Sequence, residues 1–216
     1  FYPMNTRVKS LAKPKLILAK AEKLIAHKGF AATSIREIAK EAAVNIAMIS
    51  YYFGSKEKLL ENLLQTRMEE KQEYVKQIIS DPKINEWQKF EKIIDGYVEN
   101  VKNNQDFFHI MVSLQLTTKN KRILSFIRNF RFVYLNLFES LIVAGNRNKI
   151  FTKHPDVIML QATLTGTIFF ALKSKALYKL YKKNYQPEQE YDEVYFSDIK
   201  KNLKSIMKAL VGYEAQ

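Results

Sequence analysis

Apolar residues recur every three or four positions along almost the whole chain. The stripe runs from Ile17, Ala21, Leu24 and Ile25 near one end to Ile199, Leu203, Ile206, Met207 and Leu210 near the other. This is the period of an amphipathic helix, and no alternating strand-like run interrupts it. The pattern predicts about nine helices: Lys13–Lys28, two short ones within Thr33–Phe53, then Ser55–Ile79, Glu86–Lys102, Phe107–Leu116, Lys121–Ala144, Pro155–Tyr181 and Glu193–Val211. Gly29 stands where a helix C-cap belongs, Asp81-Pro82 stops the fourth helix, and Gly145-Asn146 is expected to end the seventh. The tyrosine-rich, charged segment Lys182–Asp192 reads as a loop.

The two short helices carry the most information. Ser34 and Glu37 stand in the S-x-x-E relation of a capping box, and Ile35, Ile38, Ala39 and Ala42 mark one face of the helix that follows. Asn45 suits the N-cap of the next helix, along which Ile46, Ile49 and Phe53 recur at helical spacing. Ala39 is small where the two helices would cross, and Ile38, Val44 and Ile49 would fill the angle between them. The arrangement is a helix-turn-helix, whose second helix can lie in the DNA major groove.

Composition agrees. The 216 residues are 47% hydrophobic and 26% charged, enough for a sizeable core under a polar surface, with only six Gly and five Pro. Net charge is +13, which favours a polyanion as partner. The charge is densest where the helix-turn-helix lies: residues 1–60 hold 11 Lys/Arg against 4 Asp/Glu, while 61–216 hold 24 against 18. With no cysteine, disulfides, thiolate metal sites and a cysteine nucleophile are excluded. The three histidines His27, His109 and His154 are scattered, and neither a Gly-rich phosphate loop nor a serine elbow is present. No enzyme activity, metal or cofactor is therefore expected. Phe1-Tyr2-Pro3 ahead of Met4 carries no structural weight, and no signal peptide is legible. The most apolar stretch, Val157–Leu172, is shorter than the roughly 20 residues of a membrane span. It is expected to be a buried helix of a cytoplasmic protein with no membrane partner.

The segment Leu16–Leu64 resembles the TetR family of bacterial transcriptional regulators. The likeness is carried by ILAKAEKLIAHKGF, then ATSIREIAKEAAVNIAMIS, then YYFGSKEKLL, whose final FGSKEKLL is a specific signature among helix-turn-helix proteins. Two positions depart from the family pattern. Ala43 occupies the turn position usually held by Gly, where a left-handed backbone would cost on the order of 1 kcal/mol. Ser50 stands where Tyr is often found, followed by Tyr51 and Tyr52. The resemblance implies an all-α fold: an N-terminal three-helix DNA-binding domain and a larger helical effector-binding and dimerisation domain. The corresponding division is a flexible arm over 1–12, a DNA-binding domain over 13–55 and an effector domain over 56–216. Arg7, Lys9, Lys13 and Lys15 could add phosphate contacts from the arm.

Phosphate contacts position such a protein and base-edge contacts specify sequence. Thr33 and Ser34, at a helix start, suit a phosphate, and Lys56 adds its charge at the start of the fourth helix. The resemblance makes Lys56 and the Tyr52 hydroxyl phosphate contacts, with Tyr51 on backbone or base. Asn45, Ile46, Ala47 and Ser50 belong to the start of the recognition helix; Ile46 and Ala47 offer apolar contacts, and Arg36 can grip guanine with two hydrogen bonds. Sequence specificity requires two copies, hence a homodimer on palindromic double-stranded DNA. Its interface is expected from the last two long helices, as in the family: Thr163, Gly166, Thr167 and Phe170 on one, Ile199, Leu203, Ile206, Met207 and Leu210 on the other. Trp87, Phe90, Phe107, Met111, Phe126, Phe130 and Tyr134 are candidates to line an apolar effector cavity, with His109, Gln115, Asn136 and Thr163 as polar anchors. The resemblance further implies a repressor released from DNA by the bound effector, whose identity is unknown. Two alternatives remain open on the residues: a helical small-molecule-binding protein or enzyme with a vestigial helix-turn-helix, and a sequence-indifferent DNA packager.

Overall fold

A computed structural model of the chain describes residues 6–181 and 188–214. Residues 1–5 of the arm expected over 1–12, the Arg7 and Lys9 side chains, and residues 182–187 of the expected loop lie outside what is described; residues 6–12 of that arm are helical. Among the described residues there are nine helices and no strand: α1 (Thr6–Lys28), α2 (Ile35–Glu41), α3 (Ile46–Phe53), α4 (Lys56–Ser80), α5 (Glu86–Asn103), α6 (Gln105–Thr117), α7 (Lys121–Arg147), α8 (Val157–Tyr181) and α9 (Glu188–Val211). Several boundaries depart from the sequence pattern. Helix α1 begins before its apolar stripe does and contains Pro14. Helix α9 begins at Glu188, and the described part of the expected loop, 188–192, is helical because Tyr191 faces the core.

The chain forms two compact units. The first comprises the described residues through Lys71 together with Asn104–Phe130; the second comprises Gln72–Asn103 and the residues from Arg131 onward. Helices α4 and α7 contribute to both.

In the first unit the stripe of α1 (Ile17, Ala21, Ile25) is fully or nearly buried with Ile38, Ala39 and Ile49 of the short helices and Leu60, Leu64 and Met68 of α4. Phe107, Ile110 and Leu114 of α6 and Ile123 and Ile127 of α7 belong to the same apolar cluster. Glu22 is buried here, and Arg67 of α4 holds its carboxylate at 3.0 Å, so the charge is not left unpaired. Lys71 lies with its ammonium 4.2 Å from the centroid of the Phe107 ring. Burial holds its pKa down to about 8, with the nearby Arg67 charge adding to the effect.

In the second unit α5 and α9 lie side by side, stitched by Asp95–Lys204 at 2.8 Å, Glu99–Lys200 at 2.5 Å and Lys102–Glu193 at 2.5 Å. The rungs ascend one helix as they descend the other, so the pair is antiparallel. Under the ladder Ile94, Val98 and Val101 of α5 and Ile199, Leu203 and Met207 of α9 are buried. At one end Trp87 stacks on Tyr213 (4.8 Å, 14°), and Phe90 meets Phe138 and Phe151. Gly145 does not end α7: the helix continues to Arg147. A Cβ at Gly145 would stand 2.1 Å from the Phe151 ring, so the missing side chain makes room for that ring.

Helix α8 is not the buried helix its composition suggests. Only Leu160, Leu164 and Ile168 form a buried line, while Ile158, Met159, Phe170, Leu177, Leu180 and Tyr181 are exposed. At 25 residues it is long and apolar enough to cross a membrane by length and composition. Apolar residues surround this helix, and the chain covers only one side of it.

Candidate functional site

The helix-turn-helix is assembled by three local devices. Ser34 caps α2 reciprocally: its hydroxyl accepts from the Glu37 N–H at 3.2 Å, and Glu37 accepts from the Ser34 N–H at 2.8 Å. Glu37 also receives the Lys28 ammonium at 2.7 Å. That hydrogen bond, followed by those from the Ser34 backbone and hydroxyl, holds the carboxyl down at about 2. The turn after α2 closes with Ala43 N–H donating to Lys40 C=O at 3.1 Å and Val44 N–H to Ala39 C=O at 3.0 Å. These are the two bonds of a Schellman motif, and they place Ala43 at φ 50°. Asn45 then caps α3, its side-chain oxygen accepting from the Ala47 N–H at 2.9 Å. Gly54, at φ 76°, ends α3, and Ser55 receives the Lys58 N–H at the start of α4.

Ile49 and Phe53 turn inward, as the spacing predicts, and α3 presents the opposite face to solvent. On that face Asn45, Ile46, Ala47, Ser50 and Tyr51 are exposed. Tyr51 is the extreme case, 83% exposed, with Tyr52 half-buried beside it and the two rings edge to face at 5.2 Å. An aromatic so exposed adds nothing to the core, so its surface is available for contact. Arg36 and Ser34 are exposed on α2 and its cap.

Lys56 is held more firmly than the sequence suggests. Its ammonium sits 4.5 Å from the Phe30 ring centroid and donates to Ala31 C=O at 3.3 Å, which fixes the position of the charge. Phe30 was not among the expected site residues; its place directly after the α1 cap Gly29 was the available signal. Lys28, the partner of Glu37, was missed too. Thr33 is corrected: it is buried, and its hydroxyl donates to Gly29 C=O at 2.8 Å, locking the α1–α2 turn rather than facing solvent.

The expected cavity residues divide between the units. Trp87 and Phe90 are buried among aromatic rings of the second unit, and Phe107 is core of the first, so these three fill space. Met111, Phe126 and Phe130 are partly buried against the core of the first unit. Tyr134, half-buried, belongs to the second. Of the expected anchors, Gln115 donates to Met111 C=O at 3.1 Å and Thr163 to Met159 C=O at 2.8 Å, while Asn136 is exposed. His109 is half-buried.

The expected interface residues also divide. Gly166 and Phe170 of α8 are exposed, Phe170 at 71%, and Thr163 and Thr167 are half-buried beside them. A Cβ at Gly166 would meet nothing within 4 Å, so the packing of the chain itself does not require a glycine there. On α9 the expectation is corrected: Ile199, Leu203 and Met207 are buried inside the chain and cannot reach another molecule. Their stripe faces α5 across the ion-pair ladder. Ile206 and Leu210 are half-buried.

Residues 17–63 match the family described as "Bacterial regulatory proteins, tetR family". The chain is similar to "Probable HTH-type transcriptional regulator YttP" of Bacillus subtilis (strain 168), 54% identical over 48 residues, 22% of this chain and 23% of the relative. The matched stretch thus spans about a quarter of that relative's length. The fold extends further. FadR from Bacillus subtilis, solved in complex with stearoyl-CoA, superposes at TM-score 0.67 over 88% of this chain and 97% of its own, at 20% identity. The fatty acid degradation regulator FadR from Bacillus halodurans superposes at TM-score 0.69 over 89% and 94%, also at 20% identity. The sequence match is confined to the helices that build the capped turn and the exposed face of α3, so residues 17–63 are the segment that matches the tetR family of bacterial regulatory proteins, and beyond them the chain shares the fold of the two FadR structures nearly end to end.

Proposed function

We propose that this protein is a ligand-responsive, DNA-binding transcriptional regulator of the bacterial cytoplasm, acting as a repressor on a palindromic operator. The observation that carries the reading is the exposed face of α3, where Ile46, Ala47, Ser50 and Tyr51 stand outward on a helix fixed by caps at both ends. Ile46 and Ala47 read thymine methyls, and Arg36 reads a guanine edge. Asn45, the Ser34 hydroxyl, the Tyr52 hydroxyl and the pinned Lys56 ammonium hold phosphates. Thr33 supports the turn from inside and leaves the contact set.

Two readers are needed, and a two-fold partner supplies the second. Met159, Ala162, Gly166, Phe170 and Leu177 fall on one line of α8 and are all exposed, so a second copy of the chain covers them. Thr163 and Thr167 flank that line, and Ile206 and Leu210 of α9 add to its edge. The effector binds the second unit. The stearoyl-CoA held by the similar FadR of Bacillus subtilis supports a ligand with a long apolar body. Binding relieves repression because the effector favours the arrangement of readers that fits DNA less well.

Selection of random duplex DNA on the purified protein tests the reading. Enrichment of one inverted repeat with half-sites about one helical turn apart is the expected result. Enrichment of no sequence, with binding that is uniform or absent at low salt, would overturn it.

A further inference from the structure

Five polar side chains of the second unit gather on three helices: Tyr97 of α5, Arg131 and Tyr134 of α7, and Gln161 and Thr165 of α8. Arg131 forks onto a single acceptor, donating through Nε at 3.3 Å and Nη2 at 3.2 Å to the Gln161 side-chain oxygen. The Thr165 hydroxyl and the Arg131 charge both lie close enough to act on the Tyr97 phenol. Burial pushes that phenol up to about 12. Tyr134 is raised in the same direction, first by burial and then by Tyr97. Both phenols are therefore neutral hydroxyls that can donate at any physiological pH.

The cluster is graded in depth. Arg131 is exposed, while Gln161, Thr165, Tyr97 and Tyr134 are half-buried, and desolvation raises both phenols. Along the same helices the neighbouring positions Ile94, Val98, Leu164 and Ile168 are buried and apolar. Gln161 and Thr165 are one turn apart and lie on the side of α8 opposite Met159, Gly166 and Phe170, so a partner on the exposed stripe leaves them accessible. A charged fork at the surface, with neutral donors leading inward among apolar positions, matches a ligand with an anionic head and an apolar body.

We infer that Arg131, supported by Gln161 and followed inward by Thr165, Tyr97 and Tyr134, is the recognition point for the anionic head group, carboxylate or phosphate, of an amphiphilic effector. The inference rests on the reading of the chain as a ligand-responsive regulator and names the chemistry of its effector. Arg131 supplies two parallel N–H donors to the head group, and Gln161 yields its oxygen to the bound anion's displacement or turns its amide N–H toward it. The hydroxyls beyond hold the first polar atoms of the ligand. A lysine at position 131 would keep the charge and lose the fork.

Calorimetric titration of the full chain with dodecanoate, dodecanoyl-coenzyme A, 1-dodecanol and coenzyme A alone tests this. At least one dodecyl anion should bind tenfold or more tightly than 1-dodecanol. Tighter dodecanoate assigns a carboxylate head; tighter dodecanoyl-coenzyme A, with measurable binding of coenzyme A alone, assigns phosphate. Arg131→Gln should remove that preference while leaving 1-dodecanol binding unchanged, Arg131→Lys should retain part of it, and Tyr97→Phe should weaken the anion without abolishing the preference. Circular dichroism checks that the variants fold. Equal affinities of wild type and a folded Arg131→Gln for the anions, or no binding of either anion by wild type, would overturn the inference. If Arg131→Gln alone failed to fold, an unreduced preference in Arg131→Lys and Tyr97→Phe together would overturn it as well. A gel shift on the selected operator separates the two readings. Operator binding with an Arg131-independent ligand leaves the regulator standing and sinks this inference; an Arg131-dependent anion without operator binding does the reverse.

Discussion

Ala43 is the residue at which the site carries visible backbone strain. Its φ of 50° lies in the left-handed region, and both hydrogen bonds of the turn depend on that geometry. An L residue with a Cβ pays roughly 1–2 kcal/mol there. Replacing it with Gly removes the strain and keeps both bonds, because they involve only backbone atoms. Against this stands the greater freedom of an unfolded glycine, about 0.4–1 kcal/mol. Ala43→Gly should therefore stabilise the first unit by roughly 0.5–1 kcal/mol, a rise of about 1–4 °C in melting temperature for a chain of this size. Ala43→Val should move the other way by about 1 kcal/mol or more, since a β-branched side chain tolerates positive φ worst. Chemical denaturation of the three proteins, followed by circular dichroism, reads both signs at once. A destabilised Gly variant, or a Val variant as stable as wild type, would refute the assignment of strain to this turn.

Four further outcomes follow from the geometry. Glu37 has its carboxyl lowered from 4.5 to about 2, so its contribution to folding is present above about pH 4.5 and lost as pH falls toward 2. Glu37→Gln should flatten the loss of stability across that window in acid denaturation, with less difference at high salt because the group is exposed. Lys56→Ala should weaken all DNA sequences alike and make the plot of log affinity against log salt shallower by about 0.9; an unchanged slope would take Lys56 off the phosphate. Phe170→Glu should shift the chain toward monomer in analytical ultracentrifugation with its fold intact, whereas Leu203→Ala should leave the oligomeric state alone and cost about 2–5 kcal/mol of stability. Finally, Gly145→Leu should destabilise the second unit by 1–3 kcal/mol in denaturant titration, because the added side chain must displace the buried Phe151 ring.

Local signals in the chain are read correctly where the interaction that decides them is itself local. A capping box joins residues three apart, so Ser34 and Glu37 announce the start of α2 from the sequence. Asn45 announces α3 in the same way, whereas the strained turn at Ala43 is announced only by the family resemblance, in which that position is usually Gly. The inward face of α3 follows from the spacing of Ile46, Ile49 and Phe53, although Ile46, at its start, falls outside. The nine helices among the described residues are legible because each carries its own apolar period.

Burial is where the sequence stops deciding. The stripe Ile199, Leu203, Met207 has the same pattern whether it meets α5 or a second chain, and only the tertiary packing, with its ladder of Asp95, Glu99 and Lys102 against Lys204, Lys200 and Glu193, selects α5. Helix α8 is apolar on every side, so its periodicity cannot say which side is left open; the exposure of Gly166 and Phe170 can. Thr33 looks like a phosphate ligand from its place at a helix start, yet its hydroxyl meets the Gly29 carbonyl once α1 and α2 are folded together. The convergence of Tyr97, Arg131 and Thr165 joins residues 34 or more apart in sequence and has no local pattern at all. Spacing along a chain records which residues share a helix face, but what that face meets depends on where distant helices come to rest.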